Sequence, residues 1–525
     1  MRWRNWAVMA LILFAGLCAA DSAKAASYVN PNQVYSYERM TYDMKVLARK
    51  YPSIVQYRSL GKTPYGREIW AIKLGKGDAT VFYNSSHHAR EWLTTNLVME
   101  MIDQYSEAYM AKRTFEGYNV QSVLNNTSIW FVPMVNPDGV TLQQKGLNAF
   151  PKSIHSKLIK MNNGSRNFKR WKANAQGIDL NRQYPANWDS LSRNSSVKSP
   201  SFKNFSGYRP LQAVEAQKIA QFTAFVDPEI TISYHTSGRI LYWHFKNKPQ
   251  FIDRDRRIAE AYGRMSRYTL VKPSSNPSGG GYKDWFIQTY NRPGLTPELS
   301  YGVYETNPPI SVFNEEWKRN RKAALYVAAE GDKLWEAKVS DANYNITTFE
   351  KVPLYDRPNT SHKTKLTLNP AYVKVTGTYK DYLRIGTTYG PKWIKKGYYI
   401  NGTYKKISMP ILLTEKTQLH SMPFTAKAGT YINPQTVKAV KSYNGWYAIQ
   451  TVNGEKWIKP VNAVLNFNPV EANEQAVITT AVDWYDYPHT TKKRAVQLQP
   501  QTVTVKQVWG TWRYVTAAEG EGWIK

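Results

Sequence analysis

Between about residues 28 and 335, segments with a helical spacing of apolar residues alternate with short apolar runs. Three segments have the helical period: "YSYERMTYDMKVLARKYP", "WLTTNLVMEMIDQYSEAYMAKR" and "LQAVEAQKIAQFTAF". The runs "EIWAIKLG", "ATVFYNSS", "SIWFVPMVNPDG" and "EITISYHTSG" predict strands, and the third is expected to end in a turn. Strands that alternate with helices are typical of an α/β domain with a mainly parallel sheet, which binds ligands at the carboxyl ends of its strands.

After Trp335 the pattern changes to short β-rich segments, and a repeat of 65 residues appears. Each copy has an apolar residue, a proline four positions later and a closing Trp-Ile-Lys. These positions are Leu354, Leu419 and Trp484; Pro358, Pro423 and Pro488; and residues 393–395, 457–459 and 523–525. The repeat predicts three small all-β barrels, at residues 345–397, 409–465 and 474–525. The tryptophans are interpreted as core residues of these barrels.

The chain begins with a segment typical of a secretory signal peptide. "MRWRNWAVMALILFAGLCAADSAKAA" has two arginines, a short apolar run and small residues, which predicts a signal peptide over residues 1–25. An uncleaved membrane anchor is the alternative, but the apolar run is shorter than the ~20 residues that span a bilayer. The only cysteine, Cys18, lies in this segment, so we expect no disulfide, thiol ligand or cysteine nucleophile in the exported protein. No stable membrane insertion is expected after signal cleavage.

The formal net charge of +31 favours a polyanionic partner. The charge is spread along the chain, because the part from Val339 onward has 24 Lys+Arg against 12 Asp+Glu and the remaining excess precedes it. For an exported protein, this composition predicts anionic cell-wall polymers as partners and a secreted, wall-associated location. No nucleic-acid partner is expected, since only the charge would favour one. A merely solubilising surface is the other interpretation of the charge.

The stretch "NSSHHAREW" places two of the eight histidines of the chain side by side, with Glu91 three residues after His88. A histidine and a glutamate at this spacing, just after a predicted strand, can both reach one ion. Catalytic zinc sites often use two imidazoles and a carboxylate and leave one position open for water. His235, at the end of another predicted strand, would be the third ligand. His87 is the competing candidate, although it is expected to point to the opposite side.

Six short motifs follow one another in an order that is informative. They are "HAREW" (88–92), "NPDG" (136–139), "GIDLNR" (177–182), "SYHTSG" (233–238), "DW" (284–285) and "TPEL" (296–299). In this order they resemble the zinc carboxypeptidase (funnelin) family. The resemblance implies a catalytic domain over residues 28–337 with one zinc ion per chain. It also implies a mixed, largely parallel eight-stranded sheet with helices on both faces, which the three β-barrel repeats would follow.

The resemblance implies roles for five residues at the metal. His88, Glu91 and His235 would be the zinc ligands. Asp179 of "GIDLNR" would orient His88, as carboxylates beside ligating histidines commonly do. Glu298 of "TPEL" would be the general base that takes a proton from zinc-activated water and returns it to the leaving amine.

The same motifs imply a substrate site. Asn181 and Arg182 match the pair that binds a substrate carboxylate, for which a planar guanidinium is well suited. Arg90 matches a further arginine on the substrate side. Each arginine could instead be a surface salt-bridge partner.

Three positions depart from the usual family pattern. Lys172 stands where an arginine usually stabilises the oxyanion, so the oxyanion donor would be Lys172 or Arg170. The tyrosine of the digestive members has no counterpart in "KPSSNPSGGGYKDW", where Tyr282 is the nearest substitute. Lys283 matches the bottom of the pocket on the leaving side, where it would bind an anion such as the second carboxylate of diaminopimelate. The alternative is that Lys283 points to solvent.

These departures and the repeats resemble a bacterial subgroup that cleaves the γ-D-glutamyl to diamino-acid bond of peptidoglycan stem peptides. The repeats resemble, more loosely, bacterial Src-homology-type wall-binding barrels. The sequence thus predicts a secreted zinc metallopeptidase that acts on cell-wall peptides. A secreted carboxypeptidase of broad peptide substrates would share every catalytic residue. A non-enzymatic wall-binding protein is disfavoured, because His88, Glu91, His235 and Glu298 are all intact.

Overall fold

The computed structural model describes residues 28–358, 360, 363–397, 399–424 and 430–525. The predicted signal peptide, residues 1–25, lies outside the described residues. The chain divides after Glu336 into two compact units, called here the N-terminal unit and the C-terminal unit. Among the described residues, none of the helices combines the length and apolar character needed to span a membrane.

Strands and helices alternate through the N-terminal unit. The α-helices are α1 (Tyr37–Lys50), α2 (Leu93–Met110), α3 (Val120–Asn126), α4 (Pro137–Lys145), α5 (His155–Met161), α6 (Trp188–Asn194), α7 (Val214–Val226), α8 (Pro249–Ser266), α9 (Tyr282–Tyr290), α10 (Phe313–Asn320) and α11 (Ala323–Glu336). The strands are β1 (Val55–Lys62), β2 (Glu68–Leu74), β3 (Ala79–Ser85), β4 (Thr114–Phe115), β5 (Tyr118–Asn119), β6 (Thr127–Val132), β7 (Ile230–Thr236), β8 (Ile240–Tyr242), β9 (Thr269–Leu270) and β10 (Gly294–Leu299).

Eight of these strands form one sheet, in the order β1-β2-β6-β3-β7-β10-β8-β9. The central pairs β6–β3, β3–β7 and β7–β10 are parallel, as is β8–β9, whereas the other pairs are antiparallel. Both faces of the sheet are covered: α2 and α11 contribute to the core on one face, and α7 and α9 to the core on the other. The predicted mixed, largely parallel eight-stranded sheet is thus confirmed.

The first helix shows how the sequence pattern becomes packing. The Ser36 side chain accepts a hydrogen bond from the Arg39 amide and caps the N-terminus of α1. Met40, Met44 and Leu47 lie on one face and are buried. Burial of side chains of this size contributes about 1.5–3 kcal/mol each, so this face fixes α1 against the sheet.

The predicted turn at "NPDG" is wrong, because these residues begin helix α4. The Asn136 side chain accepts a hydrogen bond from the Gly139 amide at 2.9 Å. Pro137 occupies the first turn, where its fixed φ suits a helix and its missing N–H leaves no donor unsatisfied. The same residue types favour turns and helix N-termini, and only the helical residues that follow distinguish the two.

The C-terminal unit is built from short antiparallel strands. They are β11 (Ser340–Thr348), β12 (Val352–Tyr355), β13 (Lys363–Leu368), β14 (Tyr372–Tyr379), β15 (Tyr382–Thr387), β16 (Gly390–Lys395), β17 (Tyr399–Asn401), β18 (Lys405–Leu413), β19 (Thr417–Gln418), β20 (Tyr431–Ile432), β21 (Gln435–Tyr443), β22 (Trp446–Thr451), β23 (Gly454–Ile458), β24 (Val464–Leu465), β25 (Val470–Ile478), β26 (Gln501–Trp509), β27 (Trp512–Ala517) and β28 (Gly520–Ile524). They form sheets of seven (β11–β17), five (β18 and β21–β24), two (β19 and β20) and four (β25–β28) strands.

The first strands of these sheets follow the period of the sequence repeat. The first strands start at Ser340, Lys405 and Val470, which are 65 residues apart. These starts precede the proposed boundaries at residues 345, 409 and 474, since the exposed polar ends of the strands gave no apolar signal. We call the three segments repeat 1 (340–401), repeat 2 (405–465) and repeat 3 (470–524). Each has an apolar cluster of its own.

The three tryptophans of the Trp-Ile-Lys copies occupy equivalent places in the repeats. Each is at most 4% exposed, and each forms a backbone bridge with the residue that follows the repeated apolar position. The bridged pairs are Tyr355 with Trp393, His420 with Trp457 and Tyr485 with Trp523. The tryptophans are therefore core residues, as the sequence pattern indicated.

Candidate metal centre

The carboxyl ends of three adjacent parallel strands meet at one edge of the sheet. His235 is the last residue but one of β7, and Glu298 of β10 lies beside it in register. His88 follows the end of β3 by three residues. The loop that carries His88 is fixed by a hydrogen bond from the Ala89 amide to the Lys172 carbonyl at 2.9 Å. This topology explains how His88 and His235, which are 147 positions apart in the chain, reach one site.

His88, Glu91 and His235 form a buried cluster. The Glu91 carboxylate lies 2.7 Å from His88 Nδ1 and 2.8 Å from His235 Nδ1, and the two Nδ1 atoms are 3.1 Å apart. One ligand atom from each residue lies within 4.8 Å of the others, an arrangement that the described residues show only here. Two imidazole nitrogens and a carboxylate are a common donor set for catalytic zinc, so these residues fit the metal.

Electrostatics within the cluster favour a cation. Burial alone would raise the pKa of Glu91, but the His88 and His235 rings hold it well below its usual value, so the group is a carboxylate. Burial lowers the pKa of His235, which keeps its ring neutral and its lone pair available.

His87, the competing ligand candidate, lies outside this cluster. Its Nε2 is 2.9 Å from the Tyr184 hydroxyl, and its ring stacks on His235 with 5.8 Å between ring centroids. The ring is fully buried, and burial holds its pKa well below the usual value. His87 thus supports the site from within the core.

Asp179 holds His88 from the side away from Glu91. Its Oδ1 accepts a hydrogen bond from His88 Nε2 at 3.1 Å, which leaves Nδ1 of the same ring for a metal. Its Oδ2 pairs with the Lys172 ammonium at 3.0 Å. Although Asp179 is fully buried, which would raise its pKa, Lys172 and then His88 hold the pKa well below its usual value. The site thus keeps a fixed negative charge behind His88.

The two candidates for the oxyanion donor are both engaged elsewhere. The Lys172 ammonium pairs with Asp179, although the side chain does line the cavity. Arg170 donates to the Asn162 carbonyl at 2.8 Å and lies over the Phe202 ring. Arg170 does not line the cavity, so of the two only Lys172 is placed to face a substrate.

A cavity of about 630 Å³ opens beside the cluster. The proposed site residues that line it are His88, Arg90, Glu91, Lys172, Asn181, Arg182, Lys283 and Glu298. Enclosure by the protein, and next the Glu91 carboxylate, raise the pKa of Glu298 well above its usual value, while Lys172 opposes the rise. A carboxyl group of this kind can hold a proton near neutral pH.

The substrate-side residues are held by the backbone around them. Asn181 Oδ1 accepts a hydrogen bond from the Tyr282 amide at 3.0 Å, and Arg182 Nη1 donates to the Asn181 carbonyl at 3.0 Å. Arg90 donates to the Arg170 carbonyl at 3.0 Å and lies 3.6 Å from Glu305. Arg90 therefore lines the cavity and also forms an ion pair.

The prediction for Tyr282 is wrong. Its ring is fully buried, and its hydroxyl lies 3.0 Å from the Thr223 hydroxyl and 3.1 Å from that of Thr231, beneath the sheet. Tyr282 begins α9, and the helix directs this side chain into the core. The expectation that Tyr282 lines the substrate site assumed the opposite direction.

Lys283 lies inside the cavity wall, which contradicts the alternative that it points to solvent. Its side chain is 9% exposed, and its Nζ lies 2.6 Å from Asp284 Oδ1. It also donates to the His244 carbonyl at 3.0 Å. The cavity therefore contains an ion pair, with Asp284 also in its wall, where the sequence suggested an isolated ammonium.

Tyr242 lines the cavity and has no role in the predicted site. It lies on β8 opposite Thr296 of β10, and both side chains face the cavity together with Glu298. Burial, and next Glu298, raise the pKa of its hydroxyl. A single tyrosine in the run "RILYW" carries no signal of its own, which is why sequence reasoning missed it.

Comparisons with known proteins agree with this geometry. The family model for zinc carboxypeptidases matches residues 40–323, which is more than half of the chain. "Gamma-D-glutamyl-L-diamino acid endopeptidase 1" of Lysinibacillus sphaericus is 37% identical over 287 residues, which are 54% of this chain and 70% of the relative. The uncharacterised protein YqgT of Bacillus subtilis (strain 168) is 30% identical over 316 residues, which are 59% of this chain and 79% of that protein.

Among solved structures, that of thrombin activatable fibrinolysis inhibitor aligns with a TM-score of 0.47 and 19% identity, covering 58% of this chain and 76% of that one. The family match includes all three residues of the His-Glu-His cluster. The chain belongs to the zinc carboxypeptidase family and is a zinc-dependent peptidase.

Proposed function

We propose that this peptidase is secreted and cleaves the γ-D-glutamyl to diamino-acid bond of bacterial cell-wall stem peptides. The observation that carries the proposal is the Lys283–Asp284 ion pair in the wall of the cavity. The name of the Lysinibacillus relative, a γ-D-glutamyl-L-diamino acid endopeptidase, supports the same substrate.

In this proposal His88, Glu91 and His235 hold one zinc ion. Bound zinc supplies Lewis acidity, which polarises the scissile carbonyl and lowers the pKa of a water molecule. Asp179 keeps the His88 ring in the orientation that directs Nδ1 into the cluster. Its pairing with Lys172 fixes that carboxylate in turn.

Glu298 would be the general base. Its carboxyl lies at the cavity beside His235, and its raised pKa makes it a stronger base than an ordinary glutamate. It would accept a proton from the attacking water and then donate it to the nitrogen of the leaving amine. Lys172 supplies positive charge on the same cavity wall, where negative charge develops on the substrate oxygen.

The polar residues of the cavity match the leaving half of the substrate. Arg182 and Asn181 would bind one carboxylate, for which the guanidinium offers two parallel N–H donors. The free end of diaminopimelate carries both an ammonium and a carboxylate. Lys283 would bind that carboxylate and Asp284 that ammonium, so the pair matches a zwitterion and not a single charge.

The secreted, wall-associated location is part of the proposal. It is supported by the signal-like first residues and by the basic character of the chain, +31 overall. The C-terminal repeats would hold the enzyme on the wall, where its substrate is concentrated.

The test is to incubate the protein with defined muropeptides and with ordinary peptides, and to identify the products by mass spectrometry. We expect cleavage of the γ-D-glutamyl bond before diaminopimelate, and its loss in the Glu298→Gln variant. Efficient removal of single C-terminal residues from ordinary peptides, with muropeptides left intact, would instead identify a carboxypeptidase of broad specificity.

A further inference from the structure

Repeat 1 has an open groove that the peptidase reaction does not explain. The groove has a volume of about 640 Å³ and crosses strands β14, β11 and β17, which are neighbours at one edge of the seven-stranded sheet. Three tyrosines line it: Tyr344, Tyr372 and Tyr399. Tyr344 and Tyr372 are 39% and 56% exposed, although aromatic rings of this size normally contribute to a core.

The barrel itself does not require these tyrosines. At the positions that the strand register makes equivalent, repeat 2 has Met409, Thr436 and Ala463. In repeat 3 the positions equivalent to the first two hold Glu474 and Thr502. Because the strands equivalent to β11 and β14 form in repeats 2 and 3 without tyrosines at these positions, the sheet does not need the rings of Tyr344 and Tyr372. Clustered exposed apolar surface of this kind marks a binding site.

The rest of the groove is polar and positively charged. Asn345 and Asn401 lie in its wall and offer amide groups. Lys396 is also in the wall of the groove. In repeat 2 the equivalent position, directly after Trp-Ile-Lys, is Pro460. The groove thus combines flat apolar rings, amides and a cation.

The floor of the groove is held in place before any ligand arrives. The Gly402 amide donates to the Asn345 carbonyl at 2.7 Å, and the Thr347 hydroxyl donates to the Gly402 carbonyl at 2.6 Å. Tyr399 is partly buried, and burial and next Tyr344 raise the pKa of its hydroxyl group. Because the site is already ordered, less conformational entropy is lost when a ligand binds.

The charge of the repeats supports an anionic ligand for repeat 1. Residues 339–404 carry 10 Lys+Arg and 4 Asp+Glu and residues 405–469 carry 8 and 2, a net charge of +6 in each case, whereas residues 470–525 carry 6 of each.

We propose that the groove of repeat 1 binds an anionic glycan strand, a chain of pyranose rings that carries carboxylates and N-acetyl groups. The tyrosine faces would stack on the apolar faces of consecutive sugar rings, the asparagines would hydrogen-bond the N-acetyl groups, and Lys396 would pair with a carboxylate. The choice of ligand rests on the proposed wall-directed function. The assignment makes repeat 1 the glycan-binding module and gives repeats 2 and 3 no equivalent site.

The test uses the full-length protein and soluble peptidoglycan glycan strands from which the stem peptides have been removed. Binding is measured by calorimetry. Tyr344→Ala and Tyr372→Ala should each weaken binding at least about tenfold, the usual loss when a central aromatic contact is truncated. Lys396→Gln should weaken binding by a smaller factor, and this difference should shrink as salt is added.

Two exposed tyrosines outside the groove provide matched controls. Tyr389 of repeat 1 is 60% exposed, and Tyr431 of repeat 2 is 49% exposed. Tyr389→Ala and Tyr431→Ala should bind the glycan as the unaltered protein does. Tyr344→Phe, which keeps the ring face, should retain most of the affinity and shows that a loss in Tyr344→Ala is not a failure to fold.

Full glycan affinity in Tyr344→Ala and Tyr372→Ala would overturn the assignment, as would equal losses in the two controls. It would also be overturned if the protein bound only a phosphate-rich wall polymer and not the stripped glycan. Hydrolysis of a small soluble muropeptide should be the same in all these variants. If no variant, including the unaltered protein, cleaves muropeptides while glycan binding still depends on the groove, the peptidase proposal fails and the groove assignment stands.

Discussion

The two units of the chain differ in where they keep their acidic groups. The N-terminal unit buries many carboxyl groups, among them Asp138, Asp179, Glu215 and Glu316. Among the described residues of the C-terminal unit, no Asp or Glu is buried. Its Glu521, whose pKa Lys506 lowers, lies at the surface.

Size explains the difference. A buried carboxylate costs several kcal/mol unless partners compensate it, and only a large core can supply those partners. A repeat of about 60 residues buries a smaller fraction of its surface. Reactions that need a buried carboxylate are therefore confined to the N-terminal unit. The repeats can act only through side chains at their surface.

The largest effect should come from Glu298→Gln, which removes a titratable carboxyl group from the cavity and leaves the C-terminal unit unaltered. We expect kcat to fall at least a hundredfold, within the ~10²–10⁴ usual for a general base. The zinc content, measured by atomic absorption, should stay at one ion per chain. Sedimentation with purified cell walls should also be unaltered. This one substitution would then show that wall binding does not depend on catalysis. Full activity in this variant would disprove the role of Glu298.

Removal of the C-terminal unit tests whether the repeats are needed for hydrolysis or only for wall binding. A chain that stops after Glu336 should hydrolyse small soluble muropeptides about as well as the full-length protein, because the cavity is lined by residues of the N-terminal unit. Its sedimentation with purified cell walls should be lost. If the shortened chain sediments with walls as the full chain does, the repeats have another role.

Glu215 should make the N-terminal unit pH-sensitive where the C-terminal unit is not. Burial raises the pKa of Glu215 to about 7 from an ordinary value of 4.5. The folded state therefore binds this proton more tightly than the unfolded state, so the stability that Glu215 contributes is fully present below pH 4.5. This contribution is lost as the pH rises to about 7, by about 3 kcal/mol in total.

Calorimetry between pH 4.5 and 7.5 is the measurement, with Glu215→Gln as the control. As the pH rises, the unfolding temperature of the N-terminal unit should fall relative to that of Glu215→Gln. The buried His87 and His235 rings, whose pKa values burial lowers, act in the opposite direction but equally in both proteins. The transition of the C-terminal unit should shift less. A slope that persists unchanged in Glu215→Gln would assign it to other groups.

The smallest effect is expected at the Lys283–Asp284 pair. Lys283→Ala should reduce kcat/KM for cleavage before diaminopimelate at least about tenfold more than for cleavage before lysine, since a hydrogen bond to a charged group contributes ~1.5–3 kcal/mol. The ratio of the two kcat/KM values cancels any general loss of stability. Equal losses on both substrates would show that Lys283 does not bind the second carboxylate.

Much of the N-terminal unit could be predicted because its signals are local. The periodicity of "ATVFYNSS" and "EITISYHTSG" predicts the strands that become β3 and β7, and the sheet then brings His88 and His235 to one edge. The fate of Tyr282 could not be predicted, since the direction of a side chain at the start of α9 depends on where the helix packs. Asp284 is adjacent to Lys283 in the sequence, but adjacency alone does not show that the two pair inside a cavity.

The repeats were harder to predict for a different reason. Their strands begin with exposed polar residues, such as Ser340 and Glu471, which resemble loop residues. The groove in repeat 1 depends on tyrosines from three strands, so no single segment of the sequence predicts it. The periodicity of one strand does not show which residues of distant strands pair with it.

The apolar clusters of the three repeats have a consequence for how the C-terminal unit should unfold. Each repeat has a cluster of its own, but two further clusters contain residues of neighbouring repeats. In one of them Phe349 packs with Trp457, and in the other Leu412 packs with Trp523. Because a small repeat buries little apolar surface by itself, these shared clusters couple each repeat to the next, and we expect the three repeats to unfold in one transition.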